Sequence, residues 1–350
     1  MKDMNSLISQ LQNGDELSRQ QVNVAAEFLL DASGSVEVKK ALLVALSSKG
    51  ETPSEITYFV EAFLNHAKDP ETDGIEFEGP TIDVCGTGGD KLNLFNVSTT
   101  SMFVIAAGGA VVVKHGNRGI TSKSGGADVL EALGIRLDLP LEQLHRCLKE
   151  AGVAFLFAPM YHPAFKEVAP VRAELAKEGA RSIFNLIGPL LNPVRPQCQL
   201  IGVCDPQLGP VFAQILQSLG REAAWIVHGR TDDGRSVDEM SLMGETEISK
   251  SGSMLDTDNE VVHPEEFALR RCDVEELVGG EAEENAEILV GILDGTIRDA
   301  KRDMVLLNAG AGLACAGLAD DLGAGVKLAG ELIDSGEALK RLRLMQEIAK

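Results

Sequence analysis

From Thr81 to Val227 the chain keeps returning to one pattern, a short apolar run followed by a helical stretch. The runs are residues 81–85, Val111–Lys114, Val153–Phe157, Gln199–Cys204 and Ala223–Val227, with helical patterns such as Leu141–Ala151 and Pro206–Leu219 between them. Apolar strands separated by helices cannot pair as hairpins. They commit the chain to a parallel sheet covered on both faces. In such a sheet ligands sit at the carboxyl ends of the strands, so the loops after the strands are where chemistry is expected.

The first of those loops is the most informative. Gly86-Thr87-Gly88-Gly89-Asp90 follows the first run, and its glycines let the backbone take φ > 0 and approach a ligand closely. Successive N–H groups in such a turn converge into an anion-binding nest. Asn96-Val97-Ser98-Thr99 then opens a helix, gathering hydroxyls and free amides at its N-terminus, a natural seat for phosphate. The bland alternative is an ordinary Gly-rich turn. The stretch is neither a Walker loop nor a GxGxxG fingerprint leading directly into a helix.

After Val111–Val113 a second loop, residues 114–128, mixes Lys114, Arg118 and Lys123 with glycines, hydroxyls and an amide. That mixture suits a phosphate or pyrophosphate, and two such loops after consecutive strands weaken the reading of a ligand-free polar lid. A third loop, after Val227-His228, carries Asp232, Asp233, Asp238 and Glu239. Carboxylates there suit Mg²⁺, which takes one or two of them plus substrate oxygens, although most acidic loops are only solvated. His162 and Arg172 stay open between structural and functional roles. The acidic stretch Glu265–Glu287 reads as a solvated face, and the small-residue helix around Asn308 carries no chemistry.

Residues 1–67 read as four short helices, with capping boxes at Ser18…Gln21 and Thr52-Pro53…Glu55. Ile56, Phe59, Val60, Phe63 and Leu64 recur at helical spacing. So small a bundle has little core of its own and calls for packing on another domain or subunit. Residues 68–79 read as a linker or hinge. The expected division is a helical domain over 1–67 and an α/β domain over 80–350.

Composition narrows the function. The net charge of −21 over 350 residues excludes the broad basic surface that a nucleic-acid partner needs. No long apolar run or secretory signal is present, so no membrane partner is expected. The six cysteines form no CxxC pair, which fits a reducing cytoplasm.

The motifs GTGGD, FNVST, KHGNRG, TSKSG, ADVLEALG, YHPA, VAPVR, RSIFNLIGPLLNP and DEMSL, in this order and over about residues 5–345, resemble anthranilate phosphoribosyltransferases of tryptophan biosynthesis. The resemblance implies an α/β fold of the nucleoside phosphorylase/phosphoribosyltransferase type. A small helical domain, completed by about residues 170–190, accompanies a larger domain with a mainly parallel sheet flanked by helices. It also implies a homodimer through the helical domains. The implied reaction moves the 5-phosphoribosyl group of phosphoribosyl pyrophosphate (PRPP) to the amine of anthranilate.

By matched positions, the resemblance places PRPP against Gly86, Gly89, Asp90, Asn96, Val97, Ser98 and Thr99. Lys114, His115, Gly116, Asn117, Arg118, Gly119, Ile120, Thr121 and Ser122 form the second PRPP loop, with Gly126 beyond it. Mg²⁺, two ions per subunit, falls to Ser98, Asp238 and Glu239. Anthranilate falls to Gly86, Asn117 and Arg172, with His115 and His162 along its path. Two positions depart from the family: Leu94 replaces a Thr and Gly126 a Ser, and each loses a hydroxyl. No nucleophilic triad or acid/base residue is evident, so direct displacement without a covalent enzyme intermediate is expected. The rivals are a pyrimidine nucleoside phosphorylase-like enzyme and a non-catalytic, nucleic-acid-binding relative of the same fold.

Overall fold

The computed structural model describes residues 2–119, 123–252 and 260–350. Its contacts divide the chain into a helical unit, Met1–Asp69 with Pro159–Pro193, and an α/β unit, Pro70–Ala158 with Val194–Lys350.

The helical unit begins with four helices, α1 (Lys2–Gln12), α2 (Arg19–Leu30), α3 (Val36–Lys49) and α4 (Pro53–Leu64). Both expected capping boxes form, at Ser18 and at Thr52, the second with Pro53 in the first turn. The apolar stripe of α4 is buried as its spacing requires. Phe63 meets Phe165 and Phe184 of the mid-chain segment, each at 5.3 Å between ring centroids. The mid-chain residues therefore supply core that four short helices lack.

The α/β unit is built on one sheet. Strands β1 (Thr81–Gly86), β2 (Val111–Gly116), β3 (Val153–Phe157), β4 (Cys198–Gly202) and β5 (Ala223–Arg230) lie in the order 3-2-1-4-5, all parallel. Their apolar runs are buried, as expected of strands covered on both faces. Sequence reading missed three more strands: β6 (Ser236–Val237), β7 (Thr246–Gly252) and β8 (Glu260–Val262) extend the β5 edge antiparallel. Thr246-Glu-Ile-Ser-Lys-Ser-Gly252 is mostly polar and lacks the apolar density that marks the inner strands.

The strand order places β1 between β2 and β4, where the connections part to either side. That is the switch point at which a parallel sheet opens a crevice beyond its strand ends. The register brings Gly86 level with Gly202 there. Three C-terminal helices, Ala300–Cys315, Leu322–Asp334 and Glu337–Ile348, complete the unit, the first of them carrying Asn308.

Candidate active site

The crevice is assembled by contacts between segments far apart in sequence. In the loop after β1, Gly88 and Gly89 take φ of +74° and +100°, a region that only glycine enters without strain. The Gly88 N–H donates to Asp238 Oδ2 at 2.6 Å, and the Thr87 N–H donates to the Gly202 carbonyl at 2.9 Å. Glycine at 86 and 202 has a second cause. A Cβ on Gly86 would stand 2.2 Å from Asp238 Oδ2, and one on Gly202 would stand 1.6 Å from the Asp238 carbonyl oxygen. Both strand ends are bare so that the acidic bend can lie across them.

The helix Val97–Ala107 points its N-terminus into the same place. The Ser98 N–H donates to the Glu239 carboxylate. Ser98 Oγ accepts from Lys114 Nζ at 3.1 Å, and Lys114 also donates to the Val84 carbonyl. Lys114 is only 4% exposed, so its charge is directed at this crevice rather than at solvent. Gly88, Ser98, Lys114, Asp238 and Glu239 thus form one connected group.

Asp238 and Glu239 are half-buried and adjacent in sequence. Burial, and then the nearby charge of Asp90, raises the Asp238 carboxyl to about 6. Burial, and then Asp238 itself, raises Glu239, while Lys114 opposes the rise. Two hard carboxylates and the Ser98 hydroxyl make a donor set suited to Mg²⁺. Among the described residues no three His, Cys, Asp or Glu side chains form a metal cage.

In the second loop, Asp128 does the folding. Its Oδ2 accepts the N–H groups of Gly119 and Gly125, each at 2.9 Å, and its Oδ1 accepts from Arg118 at 3.1 Å. Arg118 also pairs with Glu131 and lies over the Phe157 ring. Asn117 Oδ1 accepts from the Arg118 N–H, and His115 N–H donates to Asp83 Oδ1. Gly126 approaches Thr99: a Cβ there would stand 2.9 Å from Thr99 Oγ1, so the missing hydroxyl leaves room that Thr99 uses. Ile120, Thr121 and Ser122 lie outside the described residues. Leu94 pairs with Val278 in an isolated bridge.

Arg172 and His162 belong to the helical unit. Arg172 is half-buried over the Phe184 ring, and among the described residues of its unit no carboxylate pairs with it. Burial lowers its pKa. His162 is 4% exposed, donates from Nε2 to the Leu191 carbonyl at 2.8 Å and stacks on Phe165. Burial holds its pKa down, so the ring is kept neutral.

Sequence reading missed one residue that holds the acidic bend. Asn308 is 1% exposed. Its Oδ1 accepts the Met240 N–H at 2.9 Å and its Nδ2 donates to the Met240 carbonyl at 3.0 Å. Asn308 therefore grips the peptide directly after Glu239, and both line a small cavity with Ser98. The side chain lies in a helix of small apolar residues, and no local pattern marks its partner 68 residues away.

Comparison with known proteins places this geometry. Residues 78–339 match the glycosyl transferase family a/b domain, and residues 5–67 match the family's helical bundle domain. The chain is 40% identical to an anthranilate phosphoribosyltransferase of Desulfatibacillum aliphaticivorans, over 97% of this chain and 96% of that one. The crystal structure of the Thermus thermophilus anthranilate phosphoribosyltransferase superposes with a TM-score of 0.88 at 38% identity, covering 98% of this chain and 99% of that one. The Saccharomyces cerevisiae anthranilate phosphoribosyltransferase in complex with PRPP and Mg superposes at 0.83 with 25% identity, over 99% and 97% of the two chains.

Proposed function

The chain belongs to the anthranilate phosphoribosyltransferase family, and from that premise we propose how its crevice works. The enzyme transfers the 5-phosphoribosyl group from PRPP to the amine of anthranilate. The products are N-(5-phosphoribosyl)anthranilate and pyrophosphate, in tryptophan biosynthesis. The observation that carries the mechanism is the connected group Gly88–Asp238 and Glu239–Ser98–Lys114. It ties the glycine loop, the acidic bend, the Ser98 hydroxyl and the Lys114 cation together at the switch point of the sheet.

In the reaction the C1′–oxygen bond to pyrophosphate breaks and a C1′–nitrogen bond to anthranilate forms. Negative charge grows on the departing pyrophosphate. Lys114, the N–H groups of Gly89 and Asp90 and the hydroxyls of Ser98 and Thr99 would meet that charge as it develops. Asn96, Val97, His115, Gly116 and Asn117 through Gly119 contribute the walls of the same PRPP site. Asp238, Glu239 and Ser98 would hold Mg²⁺, and the ion would supply positive charge to offset that of the pyrophosphate oxygens. The relative from Saccharomyces cerevisiae with PRPP and Mg supports the choice of metal, and we take the number of ions to be two per subunit.

Anthranilate's aromatic amine is neutral and weakly nucleophilic, so holding it in line contributes more than a general base would. We assign Gly86, Asn117 and Arg172 to anthranilate. A half-buried Arg that pairs with no carboxylate among the described residues of its unit is matched in charge to the acceptor's carboxylate. His115 and His162 are placed along the acceptor's path. His162 does so as a neutral ring held by the Leu191 carbonyl.

The six free cysteines support a cytoplasmic place. A homodimer through the helical unit completes the proposal, and light scattering tests it. The test of the function follows anthranilate fluorescence with and without PRPP and Mg²⁺. PRPP-dependent loss is expected. No loss with PRPP, but cleavage of a pyrimidine nucleoside with phosphate, would transfer the chain to the phosphorylase reading.

A further inference from the structure

We infer that Asn285 is a positioning residue for PRPP: it holds the Asn96 side chain away from the N-terminus of the helix Val97–Ala107. The inference rests on the PRPP reading of that helix end. Asn96 occupies the N-cap, where an Asn side chain ordinarily accepts from the second or third helical N–H. Here it makes no such bond. Its two ends are engaged elsewhere: Nδ2 donates to the Ser124 carbonyl at 3.2 Å, and Oδ1 accepts from Asn285 Nδ2 at 2.8 Å.

The polarity of this chain of bonds is dictated from outside the two amides. Asn285 Oδ1 faces the backbone N–H of Gly280 at 2.8 Å, so it must be the acceptor, and its Nδ2 faces the Gly280 carbonyl at 3.2 Å. Asn285 Nδ2 is therefore the group turned toward Asn96, which must present its oxygen. Asn96 in turn must present Nδ2 to the Ser124 carbonyl. Turning either amide over would set donor against donor or acceptor against acceptor. Asn285 is 3% exposed, so water cannot substitute freely.

The segment carrying Asn285 is itself braced on the same strand-to-helix loop. The Phe95 N–H donates to the Leu277 carbonyl at 3.1 Å, and the Gly279 N–H donates to the Asn93 carbonyl at 2.9 Å. A Cβ on Gly279 would stand 2.7 Å from Phe95 Cα. Asn285 thus acts from a platform in register with Asn96. Its consequence is felt at the third helical position: the Val97 N–H donates to the Phe95 carbonyl at 2.7 Å and the Ser98 N–H is given to Glu239, while the Thr99 N–H is left to phosphate oxygens. Without Asn285, the Asn96 oxygen swings onto its own helix and competes with PRPP.

The test compares N285L and N285A, both uncharged, in the wild-type and N96A backgrounds. In the wild-type background either variant is expected to raise the KM for PRPP about fivefold to tenfold, the scale of one capping bond set against the ligand. The kcat and the KM for anthranilate should stay within about twofold. In the N96A background, where no side chain is left to swing, N285L should change the KM for PRPP less than about twofold. Calorimetric titration of PRPP with Mg²⁺, without anthranilate, should show the same weakening. An unchanged KM for PRPP in a folded variant, or an equal rise in the N96A background, overturns the inference, and so does failure of both variants to fold. A wild-type enzyme that consumes no anthranilate with PRPP overturns the proposed function instead.

Discussion

The amide of Gly88 and the carboxylate of Asp238 meet at 2.6 Å across 150 residues of sequence. That bond ties the glycine loop after β1 to the acidic bend after β6. It fixes the glycine loop beside the two carboxylates that we assign to the metal.

If the bend holds the metal, D238N combined with E239Q should cut turnover at least about a hundredfold, the scale of losing a major electrostatic stabiliser. Both amides keep the shape of the originals, so the fold should survive. Anthranilate fluorescence decay at saturating PRPP, titrated with Mg²⁺, measures it. Near-normal turnover would remove the metal assignment.

Bare strand ends make different demands at their two glycines. The Cβ of G202A would meet the backbone oxygen of Asp238, which cannot move alone, and should cost about 1–3 kcal/mol of stability. The Cβ of G86A would meet the Asp238 carboxylate, which can rotate away. G86A should therefore unfold close to wild type yet lose affinity for PRPP and Mg²⁺. Chemical denaturation read beside steady-state kinetics separates the two.

Removing the Asn308 side chain leaves the Met240 N–H and carbonyl buried and unpaired. N308A should lose about 1–3 kcal/mol, the scale of such stranded groups, and should lower kcat because Glu239 is no longer held. A variant as stable and active as wild type would show that the bend needs no support from that helix.

Arg172 offers the most direct check on acceptor binding. R172A should raise the KM for anthranilate at least about tenfold and leave that for PRPP nearly unchanged, since only the acceptor carboxylate loses its partner. A rise confined to PRPP would reassign the residue.

His162 links stability to pH. Burial keeps its pKa below the usual 6.5, so the folded ring stays neutral where the unfolded ring takes up a proton. Its contribution is present above that usual value and is lost as pH falls below it. Denaturation midpoints at about pH 7.5 and pH 5.5 should fall further in wild type than in H162Q, which cannot titrate. Equal slopes would place the titrating group elsewhere.

What the sequence determined by itself is what short-range physics can write. The spacing of a hydroxyl from a Gln or Glu three residues on marked the capping boxes at Ser18 and Thr52, apolar periodicity marked α4, and dense apolar runs marked the parallel strands. Motif order was enough to name the family. Strand β7 escaped because three of its buried positions, Thr246, Ser249 and Ser251, carry hydroxyls and so give little apolar signal. Only the tertiary structure decided why Gly86 and Gly202 must be bare, and why Asn308 and Asn285, buried in stretches read as inert, reach the Met240 peptide and Asn96. Each of those is a contact between segments far apart along the chain. Its existence depends on strand register and helix packing, and neither leaves a mark within the few residues that local propensity can sense.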